Sequence, residues 1–152
     1  MNHSLLLQGP KVQLLNQLLF FDEGLSSFLS EYYPEPGPDR VLVERTLKQY
    51  TSVVEGILQD FSLNRLNSCA LIGSKIEVEY LDDSSVECYT IVFPGASDPG
   101  CNEISFLSPI GLQLLMTEPD ENVELEVPSG ILSVRVRAIR YHSNEITDSY
   151  RT

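Results

Sequence analysis

The chain has no tryptophan, only two histidines and only three cysteines among its 152 residues. Cys69, Cys88 and Cys101 are odd in number and form no C-x-x-C pair, which argues against a disulfide framework and against a zinc site. Neither histidine stands in a recognisable Ser/His/Asp or Cys/His arrangement, so nucleophilic catalysis of that kind is not indicated. This pattern fits a reducing compartment, and we expect a cytoplasmic protein.

Long apolar runs are also missing. No stretch approaches the roughly 20 apolar residues that a membrane-spanning helix needs. The apolar residues 5–7 are too short for the core of a signal peptide and lack a positively charged flank. We therefore expect no membrane partner.

Basic residues are scarce, with 10 Lys and Arg against 22 Asp and Glu, and the formal net charge is -12. Phosphate backbones should repel such a chain, so direct binding of DNA or RNA is disfavoured. A basic protein surface or a metal ion is a better partner. The simpler interpretation is that the acidic surface serves only solubility.

What the sequence does contain is helical periodicity in its first half. Apolar residues over positions 10–33 recur at alternating steps of four and three, as in a coiled-coil stripe, and Pro10 suits a first helical turn. Three prolines within residues 34–38 then end this helix, and Asp39 is a candidate N-cap for a second one. The two predicted stripes are Leu14, Leu18, Phe21, Leu25, Phe28 and Tyr32, and then Val43, Leu47, Tyr50, Val54, Ile57 and Phe61.

Antiparallel pairing of the two stripes sets Phe21 opposite Val54 and Leu25 opposite Tyr50. This register predicts a helical hairpin over residues 1–67, with a turn near 34–39 and arms of roughly 36 Å. Such a hairpin is either a probe that enters a cleft or a compact two-helix layer. Apolar residues off the stripes favour packing against the other domain or another chain; they include Leu15, Leu19, Phe20 and Leu29.

The second half alternates with the period of a β-strand. Ser108 and Pro109 resemble the cap and first residue of a short helix. The pattern predicts an α+β domain over residues 70–142, a curved antiparallel sheet with one helix across it, followed by a polar tail over 143–152. The predicted strands are residues 75–80, 86–93, 103–107, 123–127 and 132–141.

Four segments of this half resemble the C-terminal domain of the Gre-factor family of bacterial transcription elongation factors (GreA/GreB). The first two are residues 73–78 (GSKIEV) and residues 89–95 (YTIVFPG) with Asp98 and Pro99. The other two are residues 104–105 with 107–111 (LSPIG), and residues 123–130 (VELEVPSG). The resemblance implies an FKBP-like domain behind an antiparallel helical coiled coil. The predicted short hairpin makes the layout most similar to the Rnk-like members.

The same resemblance implies a partner, bacterial RNA polymerase. The β-domain would dock at the mouth of the polymerase secondary channel, and the hairpin would enter the channel. The expected docking residues are Asp98, Pro99, Leu107, Ser108, Pro109, Ile110 and Gly111. Leu107 departs from cleavage factors, which commonly have an acid there. The alternative is that Ser108 and Pro109 only cap a helix.

Transcript-cleavage factors bring two carboxylates to Mg²⁺ in the polymerase active site, and the candidates here are Glu35 and Asp39. The family's Leu-Ser-Glu-Asn-like tip is missing, and these acids are better explained as solvated turn and cap residues. We therefore expect a regulator of elongation that is not itself an enzyme and that has no cofactor, with Mg²⁺ involved only when shared with the polymerase. A cleavage factor is the alternative, and a peptidyl-prolyl isomerase follows from the fold alone.

The basic residues of the last predicted strand are a further candidate contact. Arg135 and Arg137 share one face by alternation and, with Arg140, would suit an acidic surface. A solvated face is the more common role of such a pair.

Overall fold

The computed structural model describes residues 2–142, with side chains described from residue 8 onward except at Pro99. The chain divides into two compact units, Met1–Ser62 and Leu63–Thr152. The first unit contains helices α1 (Asn2–Tyr32) and α2 (Pro38–Gln59). The second contains α3 (Leu63–Leu66), β1 (Ser74–Tyr80), β2 (Val86–Val92), a 3-10 turn (Pro99–Cys101), β3 (Glu103–Ser105), α4 (Pro109–Leu114), β4 (Asn122–Val127) and β5 (Gly130–Tyr141). Within residues 2–142, none of the helices has the length and hydropathy that a membrane span requires.

The predicted helical hairpin is confirmed, but both of its helices begin elsewhere than predicted. α1 begins at Asn2, so Pro10 lies inside the helix and not in its first turn. α2 is N-capped by Gly37, with Pro38 at the first helical position. Asp39 therefore lies within the first turn, where its carboxylate is favourable beside the positive end of the helix dipole.

The buried stripe of α2 is the predicted one, since Val43, Leu47, Tyr50, Val54 and Ile57 are all buried. The buried residues of α1 differ from the predicted ones. Its buried residues include Leu14, Gln17, Phe21 and Phe28, whereas Leu18 and Leu25 are only half-buried. With Gly24 included, these buried positions of α1 follow one another at alternating steps of three and four, which is again a coiled-coil spacing.

The predicted pairing of Leu25 with Tyr50 was wrong by about one helical turn. The Tyr50 ring packs edge-on against Phe21, with centroids 6.2 Å apart. The Tyr50 hydroxyl also donates a hydrogen bond to Gln17 Oε1 at 2.5 Å. A search for apolar residues passes over Gln17 and Gly24, which are the two positions that distinguish the observed stripe from the predicted one.

The second unit is built on a five-stranded sheet in the order β3-β2-β1-β5-β4. All of the predicted strands are present, and most neighbours are antiparallel, as predicted. β3 is the exception, because it pairs parallel to β2 with Ile91 opposite Ile104. Parallel pairing requires the chain to cross back from the end of β2 to the level where β2 begins, and residues 93–102 form this connection. The sheet is therefore mixed, and the prediction of antiparallel pairing throughout was wrong at β3.

α4 brings the two edges of the sheet towards each other, because it lies against both β3 and β4. Gln113 on α4 accepts a hydrogen bond from the Glu126 backbone N–H at 2.8 Å and donates one to the Glu126 carbonyl at 2.7 Å. β4 is an edge strand of the sheet, and Gln113 forms hydrogen bonds with backbone groups that no neighbouring strand pairs. The curled sheet encloses a core that includes Leu71, Ile76, Val78, Ile91, Phe106, Leu114, Leu125, Val134 and Val136.

Candidate functional site

Residues 105–111, which we call the docking segment, join β3 to α4 where the curled sheet closes. The Ser105 side-chain oxygen accepts a hydrogen bond from the Leu107 backbone N–H at 2.9 Å. Ser108 donates its hydroxyl to the Ser105 carbonyl at 2.6 Å and accepts from the Gly111 N–H at 3.0 Å. Two serine side chains therefore hold this turn, and the prediction of Ser108 as the N-cap and Pro109 as the first helical residue is confirmed.

Gly111 allows the close approach that these hydrogen bonds require. A Cβ atom at this position would lie 2.1 Å from the Ser105 carbonyl oxygen and 2.9 Å from Ser108 Oγ. Contacts that short are not tolerated, so any side chain would push α4 away from the end of β3. The close packing of α4 against the end of β3 therefore requires glycine at position 111.

Phe106 anchors the docking segment to the core. Its backbone N–H donates to the Val92 carbonyl at 3.0 Å, and its fully buried ring packs edge-on against Phe93 at a centroid distance of 5.1 Å. The residues on either side are then left at the surface. Leu107 and Ile110 are half-buried and Pro109 is exposed, so the segment presents a small apolar ridge.

Asp98 organises the loop at the other end of β3. Its carboxylate accepts a hydrogen bond from the Gly100 N–H at 3.0 Å, and its carbonyl accepts from the N–H groups of Cys101 at 2.9 Å and Glu103 at 3.1 Å. The backbone of Pro99 begins the 3-10 turn at this point, and its side chain lies outside the described residues. Asp98 and the docking segment thus flank a strand of three residues, roughly 10 Å long.

The Asp98 carboxylate also controls the exposed thiol of Cys101. Cys101 Sγ lies 3.4 Å from Asp98 Oδ2. The hydrogen bond to this carboxylate and its negative charge raise the pKa of the Cys101 thiol. A raised pKa lowers the thiolate fraction, which disfavours reaction of this thiol as a nucleophile.

The hairpin tip displays both predicted carboxylates. Glu35 and Asp39 are exposed, on either side of Pro36, Gly37 and Pro38. Arg40 closes the turn by donating from Nη1 to the Tyr33 carbonyl at 2.8 Å. Burial, with a smaller effect from the Asp39 carboxylate, raises the pKa of the Tyr33 hydroxyl. Within residues 2–142, no group of three or more His, Cys, Asp and Glu side chains is arranged to hold a metal ion.

The arginines of β5 are largely matched by acids of the same chain. Arg135 pairs with Asp120 at 3.0 Å, and Arg137 lies 3.6 Å from Glu77. These pairs are exposed and contribute little to stability, but they reduce the positive potential of this face. The arrangement fits a solvated face better than a contact for nucleic acid.

Sequence reasoning missed several residues that shape the two candidate regions. Ser105 and Phe106 hold the docking segment, and Arg40 holds the tip. A serine three residues before an N-cap serine is a usable local signal, because both side chains can bond to nearby backbone groups. The role of Arg40 depends on a carbonyl seven residues away across the turn, and no local pattern indicates it.

The chain is an α+β protein in which a helical hairpin is followed by a small mixed sheet. One short helix, α4, closes that sheet. The family described as "Transcription elongation factor, GreA/GreB, C-term" matches residues 66–141, a range that includes the whole docking segment. The chain belongs to the GreA/GreB family.

Two curated relatives are both named transcription elongation factor GreA. The chain is 37% identical over 110 residues to the transcription elongation factor GreA of Clostridioides difficile (strain 630), covering 71% of this chain and 68% of the relative. It is 31% identical over 75 residues to that of Desulfovibrio desulfuricans (strain ATCC 27774 / DSM 6949 / MB), covering 49% and 46%. Against this second relative, the chain spans about half of the relative's length.

Solved structures of the family are also similar. One is a prokaryotic transcription elongation factor GreA/GreB from Nitrosomonas europaea, with 26% identity and a TM-score of 0.44, covering 49% of this chain and 63% of that one. Another is the GreA factor homolog 1 (Gfh1) protein of Thermus thermophilus, with 22% identity and a TM-score of 0.44, covering 86% and 94%.

Proposed function

We propose that this protein regulates transcription elongation by binding bacterial RNA polymerase at the secondary channel, in the cytoplasm. The observation that carries the proposal is the docking segment, which presents Leu107, Pro109 and Ile110 on a turn that two serines and a glycine hold rigid. A preorganised apolar ridge loses little conformational entropy on binding, which favours a specific protein contact.

The charge of the chain supports a protein partner with a basic surface. A formal net charge of -12 favours association with positive potential and disfavours direct contact with phosphate backbones. DNA and RNA would then be contacted only through the polymerase. Asp98 lies at the opposite end of β3 from the docking segment, and its carboxylate is already used to hold its own loop.

The tip supports regulation without transcript cleavage. Glu35 lies between two prolines in the turn, whereas Asp39 belongs to the first turn of α2. The adjacent cation of Arg40 is held against the tip by its bond to the Tyr33 carbonyl. A positive charge at the hairpin tip disfavours Mg²⁺, which needs negatively charged oxygen ligands. The protein itself would catalyse no reaction, and any cleavage would be the activity of the polymerase.

The docking proposal is tested by binding to purified RNA polymerase core. Pro109→Ala and Ser108→Ala should each weaken binding roughly ten-fold or more, as expected for residues at the centre of an interface. Pro128→Ala is a matched control, because Pro128 is also exposed in a turn of the second unit. Ser108→Thr retains a hydroxyl cap and should bind better than Ser108→Ala.

Equal binding by Pro109→Ala and wild type would remove the docking segment from the interface. No binding by the wild type would mean that this fold serves a different partner.

The alternative of a cleavage factor rests on the exposure of both tip carboxylates. It is tested with backtracked polymerase complexes and labelled RNA. On our proposal, the wild type leaves the transcript length unchanged. Shortening of the RNA by the wild type, abolished in Glu35→Ala/Asp39→Ala, would establish cleavage and refute the regulatory assignment.

A further inference from the structure

The first helix has an apolar surface that the hairpin does not cover. Leu15 is 44% exposed and Leu19 is 54% exposed, although both are large apolar side chains. They line a groove along the hairpin together with Leu18, Leu25 and Leu29, and polar side chains of α2, among them Glu44 and Lys48, form its other wall. Leu29 is buried and Leu18 and Leu25 are half-buried, so packing of α1 against α2 leaves Leu15 and Leu19 as the exposed part of this surface.

The charges on this surface are arranged asymmetrically along the helix. Lys11, Leu15, Leu18 and Asp22 follow one another at steps of four, three and four, so they lie on one face of α1. The order is basic, apolar, apolar, acidic. We call these four residues the α1 stripe. Glu23, which is exposed, adds a second negative charge at the acidic end.

Such a stripe is complementary to itself when a second copy runs in the opposite direction. Two antiparallel copies of α1 that meet midway between Leu15 and Leu18 place Lys11 of each copy beside Asp22 of the other. The same register stacks Leu15 on Leu18 at both central positions. A two-fold axis generates each contact twice, as closed dimers require.

The two charged residues are available for this contact. The ion pairs Lys48–Glu44, Arg135–Asp120 and Arg137–Glu77 do not include Lys11 or Asp22. Both residues are exposed. We propose that the α1 stripe is a homodimer interface, which pairs the hairpins of two chains through antiparallel α1 helices with Lys11–Asp22 contacts at both ends.

The proposal is tested by sedimentation velocity of the full chain over a range of concentrations. The wild type should show a reversible dimer. Lys11→Glu and Asp22→Lys should each raise the dimer dissociation constant roughly ten-fold or more, because each replaces two attractive pairs by two repulsive ones. An equimolar mixture of the two variants should dimerise as tightly as the wild type, since both pairs again have opposite signs.

Leu15→Glu should abolish the dimer, and Leu42→Glu is its matched control. Leu42 lies on α2, is 48% exposed and is outside the α1 stripe. Circular dichroism would show that the variants retain their helices. A wild type that is monomeric at every concentration would overturn the proposal, as would single variants that dimerise like the wild type. Failure of the mixture to recover dimerisation would overturn the antiparallel pairing.

Discussion

Gly111 shows how one residue controls the geometry of the docking segment. Its missing Cβ leaves room for the Ser105 carbonyl, which also accepts the hydroxyl of Ser108. A methyl group at this position would have to displace backbone, because the clash is with a carbonyl and not with a flexible side chain.

We therefore expect Gly111→Ala to destabilise the protein by about 1–3 kcal/mol, the typical cost of overpacking. It should also weaken polymerase binding, because α4 and the exposed Pro109 would move together. Thermal unfolding followed by circular dichroism measures the first effect. Gly24→Ala is the control, since a Cβ there meets no atom within 4 Å. A Gly111→Ala protein as stable as the wild type would contradict the tight packing of this turn.

The sequence predicted part of this site from local rules and missed the part that depends on contacts between segments. Ser108 and Pro109 follow capping preferences that act within one turn, so they were predicted correctly. Phe106 looked like any apolar strand residue, because its packing against Phe93 requires β3 to lie beside β2.

At the scale of elements, the register of the hairpin depends on a buried polar pair. Gln17 is only 8% exposed and Tyr50 is fully buried, and their hydrogen bond crosses the interface between α1 and α2. A polar residue in an otherwise apolar stripe is a known way to specify register, because slipping would separate it from its partner. The apolar stripe of the sequence fits more than one register, and the hydrogen bond distinguishes between them.

Replacement of one partner should cost more than replacement of both. Tyr50→Phe removes the donor to Gln17 and should destabilise the hairpin by about 1–3 kcal/mol, because a buried acceptor loses its bond. Gln17→Leu/Tyr50→Phe should recover most of that loss, since apolar side chains replace both polar groups. Chemical denaturation of the two single variants and the double variant gives the coupling energy. Strictly additive effects would show that the pair is not coupled.

The direction of β3 was the other element that the sequence did not reveal. A strand of three residues has too few positions to show a periodic pattern, and its partner is chosen by the path of residues 93–102. The remaining strands were predictable because they alternate over longer stretches, as in the buried Ile76 and Val78 of β1.

At the scale of the whole molecule, the large negative charge should act on the rate of association. Long-range attraction to a basic surface accelerates encounter and is screened by salt, with a Debye length of about 8 Å at physiological ionic strength. The association rate constant with RNA polymerase should therefore fall as salt is raised, whereas the dissociation rate should change less.

Stopped-flow or surface-based kinetics at several salt concentrations would measure both rates. An association rate that is independent of salt would show that the charge of -12 serves solubility and not recognition. Pro109→Ala offers a useful contrast, since loss of an apolar contact should mainly change the dissociation rate.

The parallel pairing of β2 with β3 has a consequence for how the family can diversify. A tight turn cannot connect parallel neighbours, so residues 93–102 form a crossover connection from the end of β2 to the start of β3. Much of this connection is exposed, including Ala96 and Ser97. Insertions are tolerated where exposed backbone makes few contacts. New sequence can therefore accumulate a short distance from the docking segment without disturbing it, which would let one scaffold acquire different surface specificities over evolutionary time.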